Sequence, residues 1–231
     1  MESLNRMALE LADEALDFAE ELDIGALELD SGATVLDFGV EYEGGVEAGL
    51  LLAELQTAGL ATVQTRLDRV AGTPLTHVEL ATDHPGLALL GAQKAGWEIT
   101  VEEFDGLGSG PARALVAEEP EYRRLGYTDA FEFAVLALEA DRLPTDDVAR
   151  QVAERAGVEP ERLYLATFPS ASLVGSVAAA ARAPELALFR LFELGYDPMD
   201  VITVSGSAPV PPVAGDEEAA ISRTNDALAY G

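Results

Sequence analysis

Between Glu2 and Leu22 the apolar residues Leu4, Met7, Ala8, Leu11, Ala15, Leu16 and Ala19 recur at helical steps, with Asp and Glu filling the other positions. That period places the apolar set on one face and predicts an amphipathic helix over 2–22. The period then shortens. The segments ALELD and TVLDFGV flank Asp30-Ser31-Gly32-Ala33, a turn signal between two β-like runs, which predicts a hairpin. Helical spacing returns in VEAGLLLAELQTAG, in HPGLALLGAQKAG and in PTDDVARQVAERAG. Strand patterns fall between and after them, in LATVQTRLDRV, THVELATD, WEITVEEFD, EFAVLALEAD, LYLATF and DVITVSG. Strands alternating with helices predict an α/β fold. The length, 231 residues, suits one large domain or two small ones.

The longest apolar stretch is SASLVGSVAAAARAPELALFRLFELG, Ser170 to Gly195. Ser170 and Ser172 are natural N-caps for a helix, and Gly195 suits its C-terminal end. Arg182 and Glu185 interrupt the apolar run at a spacing of three, which sets them on one helix face within reach of each other. A charged pair in such surroundings costs desolvation, so it wants a function as well as a partner. Pro184 stands between them and lacks the backbone donor a continuing helix needs, which predicts a kink or a break. A break places Glu185 in the first turn of a new helix, where the dipole favours a carboxylate.

Composition changes the picture most through charge. There are 42 acidic and 14 basic residues, a net charge of −28, yet 48% of the chain is hydrophobic and the acids are dispersed. Such a chain folds around a core, and its surface repels nucleic acid and anionic membranes. Of the basic residues, Lys94 is the single lysine and the other thirteen are arginines. A surface rich in Asp and Glu and nearly free of Lys is expected of a haloarchaeal cytoplasmic protein, where concentrated salt screens the self-repulsion. The absence of cysteine excludes disulfides, thiolate nucleophiles and Cys-ligated metals. No apolar run is long enough and free enough of charge to span a membrane, and the N-terminal residues have neither the basic region nor the apolar core of a signal peptide, so a soluble intracellular protein is expected.

Several strand ends carry residues capable of chemistry. Asp83 and His84 follow the strand pattern THVELATD, where a helix cap is the simplest role for an Asp. His77 lies inside a strand pattern and reads as structural, and neither histidine has a second one, or a Cys, at metal-ligand spacing. Gly106-Leu107-Gly108-Ser109-Gly110-Pro111 has the glycine content of a phosphate-cradling loop, but Pro111 removes an amide and no Lys-Ser or Lys-Thr pair follows, so a tight turn is the simpler reading. Arg113 stands just beyond it. Thr167 to Ser172 and Ser205 to Pro209 are small polar loops at strand ends, the place where ligands bind in open α/β sheets. Lys94 carries a separate argument. Where every other lysine has been lost, the survivor is expected to use a compact ammonium that Arg cannot replace.

Taken together, GGVEAGLLLAE (Gly44 to Glu54), ATDHP (Ala81 to Pro85), AQKAGW (Ala92 to Trp97), GSGPAR (Gly108 to Arg113), PSASLVGSVAAAAR (Pro169 to Arg182) with Glu185, and RTND (Arg223 to Asp226) resemble the methenyltetrahydromethanopterin cyclohydrolase family along the whole chain. Pro184 departs from the family pattern between its Arg and Glu. Family members also continue past the position matching Tyr230-Gly231, so the resemblance implies a chain shortened at its C-terminus. It implies two α/β domains, here 1–130 and 131–231, with the substrate in the cleft between them, assembled as a cytoplasmic homotrimer. It implies reversible hydrolysis of the methenyl bridge of a reduced pterin to the 5-formyl compound, with no metal and no cofactor. Glu185 would be the base and Arg182 its partner. Lys94, Asp83, His84, Ser109, Gly110, Arg113, Ser170, Ser172 and Ser207 would be the candidates for holding the pterin. The carrier could be tetrahydromethanopterin or tetrahydrofolate. Two alternatives stay open: a non-catalytic pterin-binding protein that keeps the cleft, and a phosphate-dependent enzyme that uses the glycine stretch.

The charge makes a prediction of its own. Unscreened repulsion destabilises the compact state in dilute buffer, so the thermal midpoint should rise steeply between low and molar KCl. A midpoint that does not move would overturn the halophilic reading.

Overall fold

The computed structural model describes residues 2–230. The first helical pattern forms α1 (Leu4–Asp17), whose N-terminus is capped by the Ser3 hydroxyl accepting from the Arg6 amide at 3.2 Å. The helix expected to reach Leu22 is interrupted at Phe18, and a separate turn, α2 (Ala19–Leu22), ends at Asp23 in the left-handed region. The hairpin forms as β1 (Gly25–Glu28) and β2 (Thr34–Asp37). Then come α3 (Val46–Gln56), β3 (Thr62–Val70) and β4 (Thr73–Thr82), in the order the pattern predicts.

The next helical pattern is not an ordinary helix. Gly86–Gln93 winds as a π-helix, with the Lys94 amide reaching back five residues to the Leu89 carbonyl at 2.7 Å. The strand expected over WEITVEEFD is two strands: β5 (Trp97–Val101) turns at Glu102, φ 52°, and returns as β6 (Phe104–Ser109). The glycine stretch therefore lies in a strand rather than a loop. Gly106 and Gly108 are the thin places where Leu138 and Leu136 of the neighbouring strand pack, since a Cβ at either would stand about 3.0 to 3.1 Å from those side chains. Two short helices that the pattern did not reveal follow, α4 (Ala112–Val116) and α5 (Pro120–Leu125). After them come β7 (Ala134–Glu139), α6 (Asp146–Ala156), β8 (Leu163–Phe168), α7 (Leu173–Ala180), α8 (Ala183–Glu193), β9 (Val204–Pro209) and α9 (Glu217–Tyr230).

The strands make two sheets. Six of them lie in the order β1-β2-β8-β7-β6-β5, with the parallel pairs β2/β8 and β8/β7 at the centre and antiparallel strands at both sides. The parallel centre is buried on both faces, as parallel strands usually are. Along β7, Val135 and Ala137 enter one core while Ala134, Leu136 and Leu138 enter the other. The second core is closed by α6 through Val148, Ala149, Val152 and Ala153. The first is larger and includes α1, α3, the π-helix and α7. Its far side is covered by the three-stranded antiparallel sheet β3-β4-β9, which contributes Val63, Val78, Leu80 and Ala208.

Both sheets take strands from each side of residue 130. A division at 130–131 does not separate them, because β7 and β8 complete the sheet that β1 and β2 begin, and β9 completes the one that β3 and β4 begin. One consequence is that the segment from α7 to β9 runs from the large sheet to the small one, across the ground between them.

Candidate active site

That crossing segment holds the Arg182–Glu185 pair. The Ser172 hydroxyl accepts from the Gly175 amide at 2.9 Å and starts α7. The helix stops at Ala180 and a new one, α8, begins at Ala183 with Pro184 in its first turn. Proline without its N–H cannot continue the ladder but is well suited to a first turn, so the expected break is where the sequence puts it. Arg182 sits in the two-residue step between helices, and Glu185 lies in the first turn of α8. The Nε and Nη2 of Arg182 both donate to Oε2 of Glu185, at 3.1 and 2.9 Å. Glu185 is 1% exposed, while the Arg182 side chain keeps 20% of its surface. Removing the guanidinium would leave a buried carboxylate uncompensated. Beside this turn runs β9: a Cβ on Gly206 would come to 3.2 Å from the Pro184 ring and push it aside, so a strand without a side chain there packs on it undistorted.

Lys94 arrives from the other side. It ends the π-helix, its Nζ lies 3.3 Å from Oε1 of Glu121 on α5, and it stands 5.0 Å from the centre of the Phe189 ring. Phe189 is one turn beyond Glu185 on α8, which brings the single lysine to the same helix as the charged pair. The preceding residue, Gln93, is fully buried and donates from Nε2 to the Ala181 carbonyl at 3.4 Å.

The remaining expected binding residues divide into groups. Asp83 and His84 are exposed where β4 ends, and line a groove together with Thr203, Val204 and Ser205. Ser207 accepts from Nη2 of Arg66 at 2.8 Å. Ser109, Gly110 and Arg113 are built into the scaffold. Ser109 is 2% exposed and accepts from Gln56 at 3.1 Å. Gly110 takes φ 103° and donates its amide to the Ala92 carbonyl at 2.8 Å. Arg113 is wholly buried. Its Nε is 2.8 Å from Oε1 of Glu119, and its other nitrogens donate to the carbonyls of Leu90, Ala92 and Lys94. The guanidinium thus ties down the end of the π-helix that carries Lys94, with four of its five N–H groups engaged. Ser170 and Ser172 lie at the opposite end of α7 from Arg182, about 15 Å along the helix axis at 1.5 Å per residue. Ser172 caps the helix and Ser170 donates to Oε1 of Glu139. Among the described residues no group of three or more acidic or histidine side chains is placed to hold a metal ion, and no helix is long and apolar enough to cross a membrane.

A model of the family described as Cyclohydrolase (MCH) matches residues 3–231. The chain belongs to this family. Relatives agree over the full length of the chain. It is 68% identical over 231 residues to a methenyltetrahydromethanopterin cyclohydrolase of Halobacterium salinarum, covering all of this chain and 74% of that protein. Proteins of the same name from Methanocaldococcus jannaschii and Methanospirillum hungatei are 42% and 39% identical, each again matched by the whole chain over 73% of its own length.

Within this family member, four site neighbours went unremarked in the sequence: Gln93, Glu119, Glu121 and Phe189. The signal for Gln93 was its place beside Lys94 in AQKAGW. Nothing local marks the two glutamates, which look like any others in a chain with 42 acidic residues. Tyr122, between Glu121 and the Arg pair at 123–124, donates from its hydroxyl to the Gly91 carbonyl at 2.7 Å. Burial, more than the neighbouring carboxylates, pushes that hydroxyl far above the ordinary tyrosine range, with Arg113 opposing. It stays protonated and keeps its bond to the π-helix.

The Arg113 arrangement predicts a large structural cost. Arg113→Met removes a buried charge, leaving Glu119 unpaired and the Leu90 and Lys94 carbonyls without their guanidinium donor, so denaturant titration should show a loss of about 3–5 kcal/mol. A loss below about 1 kcal/mol would return Arg113 to the residues free to hold a ligand.

Proposed function

We propose that this protein hydrolyses the methenyl bridge of 5,10-methenyltetrahydromethanopterin, or of a closely related reduced pterin, reversibly to the 5-formyl compound. The observation that carries the reading is the buried Glu185 carboxylate in a chain of this family, gripped through one oxygen by two donors of Arg182. The methenyl carbon is an amidinium carbon and already electrophilic, so the reaction needs a proton taken from water and a proton given to the departing nitrogen. Water adds to that carbon while Glu185 takes its proton. The bond from the carbon to the second nitrogen then breaks as that nitrogen is protonated. Loss of the remaining hydroxyl proton leaves the formyl group on the first nitrogen, and one proton is released overall. Arg182 holds one carboxylate oxygen so that the other faces the water, a gain of orientation rather than of new chemistry.

Lys94 is assigned to the pterin or its substituents, presenting a compact ammonium over the α8 face. Asp83 and His84 at the end of β4 are candidates for further substrate contacts, and Ser207 is a more remote one, since it lies on the opposite face of β9 from Gly206 and accepts from Arg66. The reaction as proposed uses no cofactor and no metal. The working form is proposed to be a homotrimer in the cytoplasm. Exposed apolar side chains on and after α8, among them Leu194, Tyr196, Met199 and Ile202, support association, since a salt-adapted surface has little other reason to leave them bare.

Two substitutions test these roles, both read by the absorbance loss of the methenyl pterin, with the methanopterin and folate forms compared side by side. Glu185→Gln keeps the shape and most hydrogen bonding but cannot take the proton, so kcat should fall about 100-fold or more with a smaller change in KM. Near-normal turnover by the folded variant would end the general-base assignment. Lys94→Arg keeps the charge but not the compact donor, and should impair binding or turnover while the thermal midpoint holds. Unchanged kinetics would make Lys94 a chance survivor.

A further inference from the structure

The break between α7 and α8 leaves a backbone acceptor unclaimed. In a continuing helix the Ala181 carbonyl would receive the Glu185 amide, but the ladder resumes only with the Leu186 amide on the Arg182 carbonyl at 3.0 Å. The Ala181 carbonyl is instead reached by Nε2 of Gln93, at 3.4 Å. This is the carbonyl of the peptide unit whose nitrogen belongs to Arg182. Gln93 is fully buried, and its Oε1 has no partner at all. A buried amide with one end unsatisfied costs free energy that a leucine of similar size would not. Packing therefore does not explain a glutamine here; the orphaned carbonyl does.

Gln93 is itself fixed from behind. Its π-helix is held through the carbonyls of Leu90, Ala92 and Lys94 by Arg113 and through that of Gly91 by Tyr122. The chain of contacts thus runs from the buried α4–α5 scaffold, through Gln93, to the peptide from which Arg182 projects. We propose that Gln93 is a positioning residue: its side-chain amide fixes the backbone at the helix break so that the Arg182 fork meets one oxygen of Glu185. The proposal rests on the reading of Arg182 and Glu185 given above. It concerns how the pair is aimed, and a misaimed pair loses rate rather than affinity.

The test uses Gln93→Met, which keeps the volume and removes the donor, and Gln93→Asn, which keeps a buried amide but draws it back by one methylene. Each should lower kcat about tenfold or more while KM stays within about twofold. The same substitutions are then made on an Arg182→Lys background, where the fork has already gone. There they should lower kcat little further, because residues acting through one another are not additive. If both folded variants turn over like wild type, or if the loss is as large on the Arg182→Lys background, Gln93 is a packing residue and the proposal falls. Should Gln93→Met fail to fold, Gln93→Asn decides by the same criteria. Glu185→Gln is measured in parallel. Normal turnover there sinks the catalytic reading and this proposal with it, whereas an inactive Glu185→Gln beside normal Gln93 variants overturns the proposal alone.

Discussion

Pro184 brings no N–H to the helix that begins at Leu173, and that helix ends at Ala180, with Ala181 and Arg182 left in the gap before the next one. An unbroken helix would have placed Arg182 and Glu185 one turn apart on a single rod, and their separation would then depend on rotamers alone. The break gives the arginine a backbone of its own and sets the glutamate in a first turn, where free amides and the dipole favour its charge. It also creates the obligations around it. One carbonyl is answered by Gln93, and the strand passing beside Pro184 packs closely on its ring through Gly206.

How much of this was legible depended on whether the cause was local. The Ser172 cap, the hairpin and the Pro184 break follow from a few neighbouring residues, and the structure places them as the sequence suggests, whereas the cap expected at Asp83 does not form, because the next helix starts from Pro85 without a side-chain cap, and Ser170 bonds Glu139 instead of capping. The glycine stretch at 106–110 was misleading for a physical reason: glycine marks both turns and close packing, and only the Leu136 and Leu138 side chains across the strand pair show that packing is meant. Arg113 was singled out for the right residue type and the wrong environment, because nothing beside it in the chain reveals that Glu119 and three carbonyls close over it. The sheets were hidden for the same reason. Their order joins strands far apart in the chain, and a boundary near residue 130 looks reasonable only until β7, β8 and β9 find their neighbours.

Charge is kept apart from this machinery. The acidic excess lies on surfaces such as the outer face of α6, while the core between the sheets is mostly alanine and leucine, with some buried polar groups tied to a backbone or a partner and others, such as His77 and Thr167, buried without one. Arg113 with Glu119 and Lys94 with Glu121 form two adjacent neutral pairs. Adaptation of the surface to salt thus leaves the interior electrostatics near α8 locally balanced, and bulk ions screen buried pairs far less than exposed ones.

The order in which the small sheet is assembled bears on how the protein is born. Its hairpin, β3 with β4, is complete by Thr82, but its third strand leaves the ribosome only after α8, pairing Pro209 with His77. Until then one edge of β4 stands unpaired, and contacts between segments so remote in the chain form slowly. The acidic Glu79 and the turn-forming Pro74 on that strand are features that discourage association of bare edges. Because β9 is also the strand that lies against Pro184, the Arg182–Glu185 pair gains its wall only after both α7 and α8 have been made, and the surroundings of the pair stay unfinished while much of the core is already in place.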